Sequence, residues 1–359
     1  MESSELIIDC AALRANLARV KEQAADRYIW AVVKANGYGT GMVQVAKEFL
    51  TVADGLAVAR LSEAETLIDA GFKVPILVLG PLPCSAALAK NIHISASHQD
   101  DLLAIRDRKL TNPVHLKIDT GMGRLGFDWQ SDAWIPLLKE LPAPPFGLWT
   151  HYANADQPEH LNNALQRQRF WAAHDRLVAA GFKPEQIHIA NSGGLAMLDP
   201  NENAIRIGLY LYGGNPWSKA TALPLPSPVV SWRAPLKQKR SRKIGDLISY
   251  GSEYTVAEPG VYAVLPVGYA DGLSARPKQT IEILVGAHRA EICGRITMDL
   301  SIIRLPPSES TDEAYLLGPS WQSNGIQLAE LAERTGRIEY ECLTAISCRV
   351  KRIYRSQIS

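Results

Sequence analysis

The chain is short of the features that mark membrane, secreted and nucleic-acid-binding proteins. No stretch of about 18 uninterrupted apolar residues occurs, so no membrane-spanning helix is expected. The opening MESSELIIDCAAL has no basic start, apolar run and small-residue cleavage site, so no signal peptide is expected. Excess charge is missing too: 38 basic and 37 acidic residues leave a formal net charge of +1. Such balance gives no electrostatic pull toward nucleic acid or a membrane surface. Cysteine is sparse. Cys10, Cys84, Cys293, Cys342 and Cys348 are odd in number, scattered and without a C-x-x-C pair. A disulfide framework and a metal site are disfavoured, and buried reduced thiols in a cytoplasmic protein are the simplest reading. A Gly-x-Gly-x-x-Gly string after the first strand is also lacking, which removes support for a dinucleotide site.

What is present is a large apolar complement, 47% of 359 residues. At roughly 150 residues per domain, that length suggests two domains. From about residue 28 to 210, short apolar runs alternate with helical patterns. The predicted strands are Tyr28–Lys34, Gly55–Ala59, Val74–Leu79, Ile92–Ile94, Val114–Ile118, Phe146–Thr150, Ile187–Ala190 and Ala204–Ile207. Helical stretches lie between them, among them Met42–Leu50, Leu61–Ala70, Asp100–Arg106, Asp132–Leu141 and His160–Ala180. This count predicts a (β/α)8 barrel, with an open doubly wound sheet as the rival. Past about residue 225, Pro224, Pro226 and Pro228 precede short strands with turn residues and one clear helix, Gln327–Arg334. The predicted division is a barrel over 11–225 and a mostly-β unit over 226–359, to which residues 1–10 add a strand.

Barrel active sites lie at the C-terminal ends of the strands. Lys34 closes the first strand, where partial desolvation lowers an amine's pKa and favours Schiff-base chemistry. A rim lysine in a salt bridge is the plainer reading. The fifth strand ends in Lys117-Ile118-Asp119 and a glycine-rich loop holding Arg124. The sixth ends at His151. The seventh leads to Ser192-Gly193-Gly194, which opens a predicted helix and reads as an anion cradle or merely a cap. The eighth carries Arg206, Ile207, Gly208 and Leu209. One lysine, two arginines, one histidine and an anion cradle at one barrel mouth suit a phosphorylated cofactor with an aldehyde.

The strings AVVKANGYG, KIDTGMGRLGF, THYANAD, ANSGGL, RIGLYLYG, ISYGSEYT, VGYADG, GRITMD and IEYECLTAIS follow in order across the chain. In this it resembles the bacterial alanine racemases. The resemblance implies a pyridoxal 5'-phosphate enzyme that interconverts L- and D-alanine, for peptidoglycan or for alanine catabolism. It implies a homodimer whose active sites are each completed by the partner's β unit. Lys34 would carry the cofactor and Tyr250 would be the second catalytic base. Tyr38, Ser192, the backbone of Gly208 and Leu209, and Tyr340 would hold the phosphate. Arg206 would face the pyridine nitrogen, with His151 beside it. Arg124, Tyr269, Met298 and Asp299 would serve the substrate. Lys117 matches a lysine that is often carbamylated in the family; pairing with Asp119 or Asp128 is the alternative. Gly37, Thr40, Ile207 and Thr297 stand where alanine, histidine, proline and cysteine are commoner, and none removes a catalytic group. The rival assignments are a racemase of broader specificity, a fold-related decarboxylase and a non-catalytic binding protein. The segments His151-Tyr152-Ala153 and Ser192-Gly193-Gly194 do not match the decarboxylase pattern.

Overall fold

A computed structural model describes residues 4–82, 88–307, 309–319 and 322–356. Its N-terminal part is a closed barrel of eight parallel strands: Tyr28–Val32, Gly55–Val58, Ile76–Val78, Ile92–Ala96, Val114–Asp119, Gly147–Trp149, Gln186–His188 and Ala204–Ile207. Ala204–Ile207 pairs with Tyr28–Val32, and Ile94 pairs with Val114, so the ring has no edge. Gly55–Val58 and Ile92–Ala96 are buried at every residue. That is why these strands are near-continuous apolar runs rather than alternating ones.

The other unit is built on a six-stranded sheet. The N-terminal strand Glu5–Asp9 lies inside that sheet, antiparallel to Val230–Pro235 and parallel to the last strand, Lys351–Arg355. The helix Cys10–Ala24 then carries the chain to the barrel, with the Asp9 carboxylate accepting from the Ala12 N–H at 2.9 Å as its cap. A smaller sheet joins Lys237–Arg242, Gly260–Leu265 and Ser301–Arg304. No helix among the described residues is long and apolar enough to cross a membrane.

Several elements differ from the sequence reading. Asp132–Leu141 is not an α-helix: only a 3-10 turn forms over Pro136–Glu140, hemmed in by Pro136 at its start and Pro142 after it. The strands Lys237–Arg242 and Glu313–Leu317 and the helix Glu339–Ala345 were not anticipated. Lys237–Arg242 hid because all but one of its residues is charged or amide-bearing, and only Lys237 and Arg242 are even half-buried. Cys10, Cys293 and Cys342 are buried, but Cys348 is exposed; Cys84 lies outside the described residues.

Candidate active site

Lys34 does not end a strand. It begins a turn in which Ala35, Asn36, Gly37 and Tyr38 take φ of 53°, 54°, 62° and 52°. This is a left-handed turn, closed by Gly37 N–H to Val33 O at 2.8 Å and Gly39 N–H to Ala35 O at 2.9 Å. For L-residues the left-handed conformation costs about 1–2 kcal/mol each. Distant side chains hold it. The Glu63 carboxylate accepts from the N–H groups of Ala35 at 2.6 Å and Ala59 at 2.8 Å. Asn36 Oδ1 accepts from Met42 N–H at 3.0 Å. Arg352 and Tyr354 of the last strand donate to the carbonyls of Gly39 and Thr40. The reversed hand sends Tyr38 inward, where its ring stacks on Tyr212 at 4.5 Å.

Lys34, Tyr38, Lys117, Arg124, His151, Ser192, Arg206, Gly208, Leu209 and Tyr340 all line one cavity of about 310 Å³. Burial, then the charge of Arg124, hold the Lys34 ammonium below its ordinary pKa. Burial pushes the phenols of Tyr38 and Tyr340 upward, Tyr340 to about 12, so both stay protonated donors at neutral pH. Among the described residues neither hydroxyl has a hydrogen-bond partner. Ser192 Oγ accepts from the Gly208 N–H at 2.9 Å, leaving its own proton to donate. Gly208 cannot be replaced here without loss of space: a Cβ would stand 2.2 Å from the Tyr38 hydroxyl oxygen. Convergent neutral donors with a Cβ-free floor fit a phosphate, and the desolvated amine of Lys34 beside them fits an aldehyde. The donor set therefore suits pyridoxal phosphate.

Arg206 is 3% exposed. Its Nη1 donates to His188 Nδ1 and to the His188 carbonyl, each at 2.8 Å. Its Nη2 donates to the carbonyls of Thr150 at 2.7 Å and Ile189 at 3.1 Å, and faces His151 Nδ1 at 3.4 Å. These bonds leave Nε as the donor available to a ligand. Burial draws Arg206 down to about 9, and burial followed by the Arg206 charge holds His151 well below its usual value. His151 is thus a neutral imidazole, and Arg206 is the cation of the pair. Lys117 is brought to about 8 by burial, then by Arg124 and Arg206. Its ammonium lies 4.6 Å from the centre of the Trp149 ring, as does the Arg206 guanidinium. Asp119 and Asp128 do not pair with Lys117. Asp119 accepts from the backbone of Gly121, Met122 and Gly123, and Asp128 from that of Gln130.

Two expectations change. Ser192-Gly193-Gly194 does not open an α-helix; Gly193–Met197 is a 3-10 turn, and both glycines are closely packed. A Cβ on Gly193 would meet the Ala155 carbonyl at 2.6 Å. The second set of predicted residues also lies apart. Tyr250 is 72% exposed, Met298 53% and Tyr269 44%, and none lines the cavity of its own chain. Asp299 is engaged by Arg349 at 2.7 Å. These residues share one surface of the β unit: Ser249 Oγ donates to Arg295 O at 2.7 Å, and Tyr269 N–H to Thr297 O at 3.0 Å. Trp149, His188 and Arg352 were missed. A tryptophan closing the sixth strand beside His151 was the only local signal; the other two act across long sequence separations.

The sequence model for the alanine racemase N-terminal domain matches residues 8–216, and that for the C-terminal domain matches residues 229–354. The alanine racemase of Limosilactobacillus fermentum is 36% identical over 372 residues, covering 99% of this chain and 98% of that protein. That of Streptococcus mutans is 37% identical over 346 residues, covering 92% and 91%. Among solved structures, the Clostridium difficile alanine racemase superposes with a TM-score of 0.90 at 30% identity, covering 99% of this chain and 96% of that one. The Bacillus anthracis enzyme with bound L-Ala-P gives 0.89 at 32%, covering 99% and 95%. With both domain models matched, and the barrel and β unit preserved across the full length, this chain belongs to the alanine racemase family.

Proposed function

We infer that this protein is a pyridoxal-phosphate-dependent isomerase that interconverts L- and D-alanine. The observation that carries the reading is one cavity lined by the desolvated amine of Lys34 and by two phenols, Tyr38 and Tyr340, that have no hydrogen-bond partner among the described residues. The cofactor supplies one thing when bound, electron withdrawal that acidifies the substrate's α-proton. Everything else falls to the chain. Tyr38, Ser192, Tyr340 and the backbone at Gly208 and Leu209 would hold the phosphate, which would compete with Ser192 Oγ for the Gly208 N–H. Arg206 would donate to the ring nitrogen and, being a guanidinium, would keep its proton. Arg124 takes the substrate carboxylate.

Racemisation needs a proton removed from one face and returned to the other. The Lys34 amine serves one face. Tyr250, Tyr269, Met298 and Asp299 lie outside their own chain's cavity, which supports a homodimer in which they complete the partner's site and Tyr250 of one copy faces Lys34 of the other. A nearby cation favours the ionised form of a phenol and so its action as a base. Arg206, reached through the neutral His151, supplies it. Lys117 as a carbamate would orient Arg124 through charge-assisted hydrogen bonds. We assign cofactor binding to the barrel unit, 11–225, and site completion to the β unit, 226–359 with residues 1–10.

The test is D-alanine formed over time from pure L-alanine with added cofactor, with Lys34→Ala in parallel. Formation by the parent alone is the expected result. Cofactor binding without D-alanine would overturn the assignment.

A further inference from the structure

Three histidines stand in single file through the barrel core behind Arg206. His93 Nδ1 lies 2.9 Å from His115 Nε2, and His115 Nδ1 lies 2.8 Å from His188 Nε2. His188 Nδ1 in turn meets Arg206 Nη1 at 2.8 Å. The rings come from the fourth, fifth and seventh barrel strands and are 8%, 0% and 0% exposed. Aromatic walls enclose them. Phe146 packs on His93 and His115, and the Trp149 ring stacks on His188 at 5.7 Å. No carboxylate hydrogen-bonds to the column among the described residues. Glu202, the carboxylate whose charge acts on Arg206, makes its hydrogen bonds to the backbone of Ile189, Ala190 and Asp199 and none to the guanidinium or the rings.

The proton positions follow from one fact: a guanidinium only donates. His188 Nδ1 must therefore be bare, which puts the His188 proton on Nε2. That N–H points at His115 Nδ1, which must be bare in turn, so His115 is also protonated at Nε2. The same step repeats at His93. A second proton on any ring would set N–H against N–H in a low-dielectric core. Burial keeps all three neutral, with His93 at about 4 and the other two well below the usual imidazole value.

We propose that Arg206 locks His93, His115 and His188 in the Nε2–H tautomer, and that the column in return positions Arg206 for the reaction. The physical gain is a neutral acceptor behind the guanidinium. A carboxylate there would pair with Arg206 and cancel its charge. An imidazole orients it and leaves the charge free to act on a ligand's ring nitrogen, while successive donors polarise one another along the line. The three histidines are positioning residues and touch neither cofactor nor substrate. The inference rests on the role assigned to Arg206 above, but its first test does not.

That test is long-range 1H–15N correlation on histidine-labelled protein, with and without cofactor. All three rings should show a protonated Nε2 and a bare Nδ1. An Nδ1–H form or a doubly protonated ring at His115 or His188 would overturn the proposal. The second test compares His93→Asn with His93→Leu, which are nearly isosteric. Asparagine offers an oxygen where Nδ1 stood; leucine offers no acceptor. Leucine should lower kcat about three- to tenfold, with KM for alanine within about twofold, and asparagine should restore most of the loss. Equal kcat in the two variants would mean that the column is only packing. If the leucine variant fails to fold, the tautomers of the unmodified protein decide. A chain with the three tautomers but no racemisation would sink the functional reading alone.

Discussion

Arg352 in the last strand grips the carbonyl of Gly39, just past the turn bearing Lys34, through Nε at 3.0 Å and Nη2 at 2.8 Å. The same guanidinium donates to the carbonyls of Ile346, Ser347 and Val350, just beyond the helix that carries Tyr340. One side chain therefore ties together the two elements that present Tyr38 and Tyr340 to the cavity. It makes no ion pair among the described residues, so its hydrogen bonds go to backbone alone.

Replacing Arg352 should accordingly separate the halves of the phosphate site. Arg352→Gln is expected to weaken cofactor binding about ten- to a hundredfold, the scale of a lost charged hydrogen bond. Arg352→Lys should recover only part, because an ammonium cannot match the planar fork. Titration of cofactor-free protein with pyridoxal phosphate measures it. Unchanged affinity at a lowered melting temperature would leave Arg352 a merely structural residue.

Gly208→Ala places a Cβ 2.2 Å from the Tyr38 hydroxyl oxygen. Tyr38 is packed between Tyr212 and Tyr340 and has little room to yield. Cofactor affinity should drop at least about tenfold, with stability lowered by about 1–3 kcal/mol from overpacking. Equilibrium dialysis and urea unfolding give the two quantities separately.

Lys117 near pKa 8 has a substantial neutral fraction just above neutral pH, the form that adds carbon dioxide. The N–C bond forms as the amine loses a proton, and the resulting anion faces the same Arg124 and Arg206 charges that disfavour the ammonium. Protein equilibrated with 13C-bicarbonate should show a carbamate signal that Lys117→Arg lacks. Lys117→Ala should lose about tenfold in activity and regain part with added bicarbonate. Absence of both signal and rescue would leave Lys117 an uncharged amine over Trp149.

The buried imidazoles should make the fold acid-sensitive. Below pH 6.5 the unfolded chain takes up protons that His93, His115 and His188 refuse when folded. Their contribution is complete above about pH 6.5 and is lost progressively toward pH 4. Each ring adds a slope of about 1.4 kcal/mol per pH unit inside that window. Urea unfolding of His93→Asn between pH 6.5 and 4.5 should show a slope shallower by about one ring's worth. Identical slopes would show that His93 titrates normally in the folded state.

Mixing Lys34→Ala with Tyr250→Phe tests the shared site. Each variant alone should be nearly inactive. A mixed dimer pairs one intact site with one doubly damaged site, so random exchange should restore about a quarter of the parent rate. No recovery after verified subunit exchange would place both bases in one chain.

The barrel was legible from local signals, because apolar runs and helical spacing repeat eight times before the proline-rich break at 224–228. It also brought Lys34, Lys117, His151, Ser192 and Arg206 to one mouth, since parallel strands put all their C-terminal ends on the same side. The rest depends on contacts between elements far apart in the chain. The left-handed turn after Lys34 is costly locally and persists through Glu63, Arg352 and Tyr354, the last two more than 310 positions away in the chain. The exposed Lys237–Arg242 strand gains its place by pairing with Gly260–Leu265, not from its own apolar content. The tautomers of His93, His115 and His188 hang on an arginine from another strand. No window of sequence contains those contacts, and burial, the largest influence on the Lys34 and Lys117 amines, exists only once the barrel has closed.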